Sequence, residues 1–239
     1  MIHLEKQLTV AGAGAAIVAD EIALELNAVG RAVFRVEGEA EGALKSALLM
    51  YSGYRGEGVV YPLFAGMVTE ALPSGENETR IVAREPGMLL ELPAELALRH
   101  VTPAQVLAKI EDLTGLRFLL PEQGAYLAER TPYFSAEGTC RQALDAMAAA
   151  WEVPRAVWAS LPDGAIYWGD WADSPFNQQD VVVMDPHLVI ERDPEARALV
   201  LPWMPRLRPG VVIEADHTFM VQRAVFSGST VRVEWGEVD

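Results

Sequence analysis

Apolar and polar positions alternate with a period of two at both ends of the chain, and a helical period appears only in its middle. Ile22, Leu24 and Leu26 share one face of the run 20–27 and Glu21, Glu25 and Asn27 the other, the pattern of a half-buried strand. After Asn27-Ala28-Val29-Gly30, residues Ala32, Phe34 and Val36 alternate with Val33, Arg35 and Glu37. The two runs predict an antiparallel hairpin with one buried face. Residues 59–72 are rich in β-branched and aromatic side chains and end in the polar turn 73–78. Residues 79–84 resume as a strand, with Arg80 and Arg84 on one face and Ile81 and Ala83 on the other. Gly66, inside the first of these strands, predicts a bulge or a close backbone approach. Residues 43–51 fit either a short helix or a strand, 51–58 a loop, and Glu85-Pro86-Gly87 a turn.

From about residue 93 the texture changes. Thr102 predicts an N-cap, with Pro103 at the first helical position, where no N–H donor is needed. Val106, Leu107, Ile110 and Leu113 recur at helical spacing, Gly115 ends the helix, and a strand follows over 117–120. The pattern returns 37 residues later: Thr139 opens a helix carrying Ala143, Leu144, Met147 and Trp151, and a strand follows over 156–159. A solenoid needs about three repeats or more, so two copies predict a compact unit in which two helices cover a small sheet. A turn at 162–164 leads into 165–171. Trp158, Tyr167, Trp168 and Trp171 fall on these adjoining strands, as core or interface aromatics do, or as a sugar or base platform would. Residues 176–239 return to short apolar runs between turns, at 181–184, 188–190, 199–201, 211–214, 218–226 and 230–235. The expected fold is α+β and mainly β. Two small antiparallel β-barrels, 1–93 and 176–239, each with its own core, flank a small α/β domain with two helices at 94–175.

Charge narrows the function classes. The formal net charge of −15 opposes nucleic-acid binding through phosphate neutralisation. The acids are spread along the chain, as on a solvated surface, or as on the wall of a passage for another polyanion. No run of about 18 apolar residues predicts a membrane-spanning helix. Met1-Ile2-His3-Leu4-Glu5-Lys6 lacks the basic-then-apolar order of a signal peptide, so a soluble protein made in the cytoplasm is expected. Cys140, the one cysteine, excludes an internal disulfide and a cysteine-rich zinc site and reads as a small buried hydrophobe.

Candidate chemistry is sparse. Leu8-Thr9-Val10-Ala11-Gly12-Ala13-Gly14 imitates the start of a dinucleotide fingerprint, but the third glycine position is Ile17 and the following run alternates as a strand. His3, His100, His187 and His217 lie far apart, no Gly-x-Ser-x-Gly elbow occurs, and pairs among 34 acids arise by chance. No catalytic, cofactor-binding or metal-ligating residue is assigned, and no cofactor is expected. A carboxylate-dependent hydrolase and a carbohydrate- or peptide-binding module on the Trp158–Trp171 aromatics are the alternatives to an assembly role.

Several stretches together carry a family likeness. These are Phe64-Ala65-Gly66-Met67-Val68-Thr69-Glu70 with Arg80-Ile81-Val82-Ala83-Arg84-Glu85-Pro86, and the segment from Val101-Thr102-Pro103 to Thr114-Gly115-Leu116-Arg117-Phe118. Leu207-Arg208-Pro209-Gly210 and Val231-Arg232-Val233-Glu234-Trp235 extend it. The chain resembles phage tail baseplate hub proteins of the late-control type, related to the N-terminal part of type VI secretion spikes. The resemblance implies two tail-tube-like β domains joined by smaller α/β parts, and a homotrimeric ring of pseudo-sixfold symmetry in the virion. Its implied partners are copies of itself, the tail tube or distal tail protein above and a spike- or fibre-bearing protein below. DNA would be passing cargo only, and assembly would take place in the host bacterial cytoplasm. Such hubs are longer and carry spike or hydrolase segments that this sequence does not display, which leaves both central hub and adjacent tail-tip adaptor open.

Overall fold

The structure is a computed structural model that describes residues 3–40, 42–56, 60–178, 181–215 and 217–237. The start of the predicted strand at Val59 and the loop residues Glu57 and Gly58 lie outside the described residues. The chain begins with strands β1 (His3–Val10), β2 (Ala13–Ala15), β3 (Ile17–Glu25), β4 (Arg31–Glu37), β5 (Ala47–Arg55), β6 (Val60–Pro73) and β7 (Glu78–Arg84). Its middle holds β8 (Pro93–Val101), α1 (Pro103–Thr114), β9 (Phe118–Leu119), β10 (Thr131–Thr139), α2 (Cys140–Ala150), β11 (Ala156–Ser160) and β12 (Ile166–Asp170). Its last part holds β13 (Val182–Val183), β14 (Glu191–Asp193), β15 (Ala198–Pro202), β16 (Val212–Glu214), β17 (Thr218–Ser227) and β18 (Thr230–Glu237). The fold is α+β and mainly β. It divides into two units, residues 1–85 with 179–239, and residues 86–178.

The first unit corrects the expectation of two separate barrel cores at 1–93 and 176–239. Its strands make one thirteen-stranded sheet in the order β14-β15-β18-β17-β3-β4-β7-β6-β5-β1-β2, with β16 on β17 and β13 on β16. The seam is β17 against β3, where Phe226 lies opposite Ile22 and Ala224 opposite Leu24. One buried cluster runs from Leu8, Phe34, Leu48, Met50 and Phe64 through to Trp203, Phe219, Phe226 and Val233. The physical reason lies in strand length. β13, β14 and β16 are two or three residues long, too short to enclose a core of their own, so the C-terminal strands extend the sheet begun by the N-terminal ones.

No backbone ladder closes this sheet among the described residues. Side chains bridge part of the gap. The inward row of β1 is Leu4, Lys6, Leu8 and Val10, and that of β3 carries Asp20, Ile22 and Leu24. Lys6 Nζ donates to both carboxylate oxygens of Asp20, at 2.7 and 2.8 Å, and to the Gly228 carbonyl at 2.5 Å. It also sits 3.8 Å from the centroid of the Trp203 ring.

Local readings fare unevenly. Residues 47–55 form β5, so the ambiguous run resolves as a strand, and the loop reading of 51–55 is corrected. The run 188–190 is no strand: a 3₁₀ turn, Pro186–Leu188, occupies its start. A Cβ on Gly66 would lie 2.5 Å from the Arg84 carbonyl oxygen and 2.6 Å from the Phe64 ring, which is the anticipated close approach. The dinucleotide lookalike is a β-hairpin. Ala11 and Gly12 turn between β1 and β2 with φ of 52° and 82°, as a two-residue loop of the primed type requires, and no helix follows.

In the second unit, β8 and β10 pair antiparallel from Val101 opposite Thr131 to Pro93 opposite Thr139. Each strand runs into a helix through a Thr-x-x-Gln box. The Thr102 N–H donates to Gln105 Oε1 at 3.0 Å, and the Thr139 N–H to Gln142 Oε1 at 2.9 Å. The Gln142 N–H returns a bond to Thr139 Oγ1 at 3.2 Å. The weak repeat is thus strand, helix, strand. One face of the β8–β10 ribbon, with Ala94, Leu96, Phe134 and Ala136, is buried, as are Val106, Leu107 and Ile110 of α1 and Ala143, Leu144 and Met147 of α2. Leu113 keeps the helical spacing yet stays about half exposed. A second small sheet has β12 at its centre, antiparallel to β11 and parallel to β9.

Candidate assembly surfaces

The aromatics of the second unit form core. Trp158, Tyr167, Trp168 and Trp171 are all nearly inaccessible, so none offers a ring face on which a sugar or base could stack. The backbone around Asp170 ties them down: Tyr167 donates its hydroxyl proton to the Asp170 carbonyl at 2.7 Å, and the Asp170 N–H donates to the Tyr126 hydroxyl at 3.0 Å. Burial, with Tyr126, Asp173 and Asp170 adding to it, pushes the Tyr167 pKa far above the ordinary phenol range, so this hydroxyl stays a neutral donor. This corrects the platform reading in physical terms: edge-to-face ring contacts such as Tyr126 on Trp168, 6.3 Å between centroids, fill a core.

The histidines fall on separate elements. His3 opens β1, His100 is next to last in β8, His187 lies in the turn before β14, and His217 packs at a tilt beside Phe219 and Trp235. Among the described residues no group of three His, Cys, Asp or Glu side chains is placed to hold a metal ion. Cys140 is fully buried at the start of α2, where burial raises its thiol pKa. Among the described residues no helix is long and apolar enough to cross a membrane.

What the first unit does present is unpaired edge and apolar surface. Among the described residues β2 and β14 end the sheet, and β13 pairs on one side only, with β16. Four of the thirteen exposed large apolar side chains among the described residues, Val181, Val183, Leu188 and Ile190, fall within ten residues of sequence around β13. Val183 is 76% exposed and Ile190 61% exposed, far beyond the scattered surface apolars that need no explanation. Val181 and Val182 also line a groove of about 440 Å³ with Tyr54, Tyr61, Met204 and Arg206. The Arg206 guanidinium lies 5.0 Å from the Tyr61 ring centroid, and the Tyr54 hydroxyl donates to the Trp203 carbonyl. An apolar edge strand beside an aromatic groove suits strand addition or docking of another chain. The sequence placed an apolar run here, but alternation could not tell that its side chains face out.

The fold is one shared with solved tail proteins. The chain shares it over 98% of its length, and over 98% of the other chain, with the 43 kDa tail protein of prophage MuSo2 from Shewanella oneidensis, at a TM-score of 0.69 and 11% identity. The tail protein from Neisseria meningitidis MC58 matches 98% of this chain with 96% of its own, at a TM-score of 0.66 and 13% identity. The c3393 protein of E. coli matches 97% of this chain with 77% of its own, at a TM-score of 0.65 and 12% identity. That protein is described as a component of the type VI secretion system with structural similarity to the T4 bacteriophage tail proteins gp27 and gp5. At these identities the likeness is one of fold. In sequence, the chain is 25% identical over 212 residues to an uncharacterized 58.7 kDa protein encoded in the lys 3′ region of Haemophilus phage HP1. The match covers 88% of this chain but only 38% of that relative. No protein-family model matches the chain.

Proposed function

We propose that the chain is a structural virion protein, a baseplate hub or tail-tip adaptor that works by assembly and not by catalysis. Three copies form a ring that connects the tail tube to the distal spike or fibre complex and lets DNA pass. The observation that carries the reading is the match of essentially the whole chain to a whole tail protein; the sequence relative encoded by phage HP1 agrees with a phage origin. A closed ring needs head-to-tail contacts between different patches of each copy. The edge strand β13 with Val183 and Ile190 supplies one such patch. A net charge of −15 keeps a passing polyanion from adhering to the wall.

Native mass spectrometry of the purified chain, alone and mixed with a tail-tube partner, tests the ring. The expected species is a trimer or a defined complex with the partner. Replacing both Val183 and Ile190 by aspartate puts charge where apolar surface is buried. At about 1.5–3 kcal/mol per buried aliphatic side chain, association weakens by roughly a hundredfold or more. At a concentration where wild type is also dissociated the thermal midpoint should not change, because both side chains are exposed in the single copy. A wild-type chain that stays monomeric in both settings contradicts the proposal.

A further inference from the structure

The outer face of the β8–β10 ribbon carries a charge pattern that no side chain among the described residues answers. Three exposed cross-strand pairs line it in order: Arg99 opposite Tyr133, Ala97 opposite Ser135, and Glu95 opposite Glu137. Tyr133 is 56% exposed. Two glutamates directly opposite one another repel, which disfavours the ribbon that carries them. Among the described residues Arg99, Glu95 and Glu137 make no ion pair and no side-chain hydrogen bond. By contrast Arg223 and Arg232, on β17 and β18, are each held by carboxylates.

Turned through a two-fold axis, the face is its own complement. The cationic row of one copy falls on the two-glutamate row of the other, and the flat Ala97–Ser135 row falls on itself, where small side chains let the two sheets approach. We propose that this ribbon face docks a second copy of the chain, ribbon to ribbon and antiparallel, so that Arg99 of each copy sits between Glu95 and Glu137 of the other. The contact buries Tyr133, a residue type enriched at interface centres, and relieves the glutamate repulsion at both ends. Six side chains a side cover less than the roughly 800 Å² per partner of a standard interface, so the pairing is weak between free copies. An isologous contact is distinct from the head-to-tail contacts of a ring, so each stands or fails without the other.

The test is cross-linking of the full chain carrying Ser135→Cys with a short bismaleimide. Position 135 lies next to the axis, and wild-type protein is the blank because Cys140 is fully buried. S135C is expected to give a covalent dimer. Adding Arg99→Glu should cut its yield about tenfold, a difference of about 1.4 kcal/mol. Exchanging the charges, R99E with E95R and E137R, should restore the dimer. Ala97→Cys, on the facing strand of the same row, repeats the measurement should S135C misfold, with circular dichroism reporting the fold. Folded S135C and A97C that stay uncross-linked, or a yield unmoved by R99E, overturn the proposal.

Discussion

Replacing Glu85 by alanine is expected to lower the thermal midpoint of the first unit by about 10 °C. Glu85 is 5% exposed, and its Oε2 accepts the Gly30 N–H at 2.9 Å. Its Oε1 lies 3.9 Å from Nη2 of Arg208, whose Nη1 donates to the Leu63 carbonyl at 2.5 Å. Burial pulls the Arg208 pKa down and the Glu85 carboxylate opposes that shift, so the pair keeps a charged guanidinium inside the unit. Removing the carboxylate takes one counter-charge away from that buried guanidinium. Breaking a buried pair from one side costs about 3–5 kcal/mol, and each kcal/mol moves the midpoint of a unit this size by about 2–4 °C. Glu85→Gln, which can still accept from Gly30, should fall between wild type and alanine. Gly30→Ala should also destabilise, because a Cβ there would stand 2.4 Å from Glu85 Oε2. Calorimetry that finds E85A within about 1 kcal/mol of wild type would refute this account of the pair.

Lys6→Met should be nearly as damaging, by about 3 kcal/mol or more, although it keeps the length of the stem. Asp20 is 5% exposed at its side chain and would lose the charge that holds it. The same substitution removes the cation from the Trp203 ring, worth up to about 2 kcal/mol when desolvated. Asp20→Asn alone should also destabilise, while the double variant should cost less than the two added together. A coupling energy of about 1 kcal/mol or more in that cycle shows the pair acting as one, and additivity within about 0.5 kcal/mol contradicts it. Because Lys6 and Asp20 belong to the first chain segment, and Trp203 and Gly228 to the last, the loss should loosen both segments together. Hydrogen exchange should therefore rise in β17 and β18 as well as in β1 and β3.

Faces were legible in the sequence; partners were not. Alternation placed Ile22, Leu24, Phe34 and Val36 on buried faces because a period of two is a property of the strand alone. It could not say that Ile22 would find Phe226, about two hundred residues on, and so two cores were expected where one exists. β5 was obscured by Tyr51-Ser52-Gly53-Tyr54, a run that reads as loop until the buried Ser52 hydroxyl is seen to accept the Trp203 Nε1–H at 3.0 Å. β8 and β10 are harder to read, because alanines at 94 and 136 weaken the inward apolar row and Ala97 and Tyr133 blur the polar one. The helix starts were plain, since a capping threonine is a local signal; the Gln105 and Gln142 halves of the two boxes emerge only in the structure. One signal was there to be used. Lys6 and Asp20 each interrupt an otherwise apolar inward row, and opposite charges in two such rows point to a pair.

The candidate surfaces divide the same way. Nothing in the pattern singles out Val183 or Ile190, because an apolar run between turns normally fills a core, and only the structure shows these two facing out. The buried aromatics of β11 and β12 teach the opposite lesson: a cluster that invites a ligand on paper is spent on packing.

The claim on which the rest depends is that this chain is a building part of a tail. Electron cryo-microscopy of the intact particle tests it most directly. The account predicts density for the whole chain in a ring at the distal end of the tail tube, with copies in contact around an open centre. Particles whose tails lack the chain, or hold it as isolated single copies away from the tube axis, would contradict it.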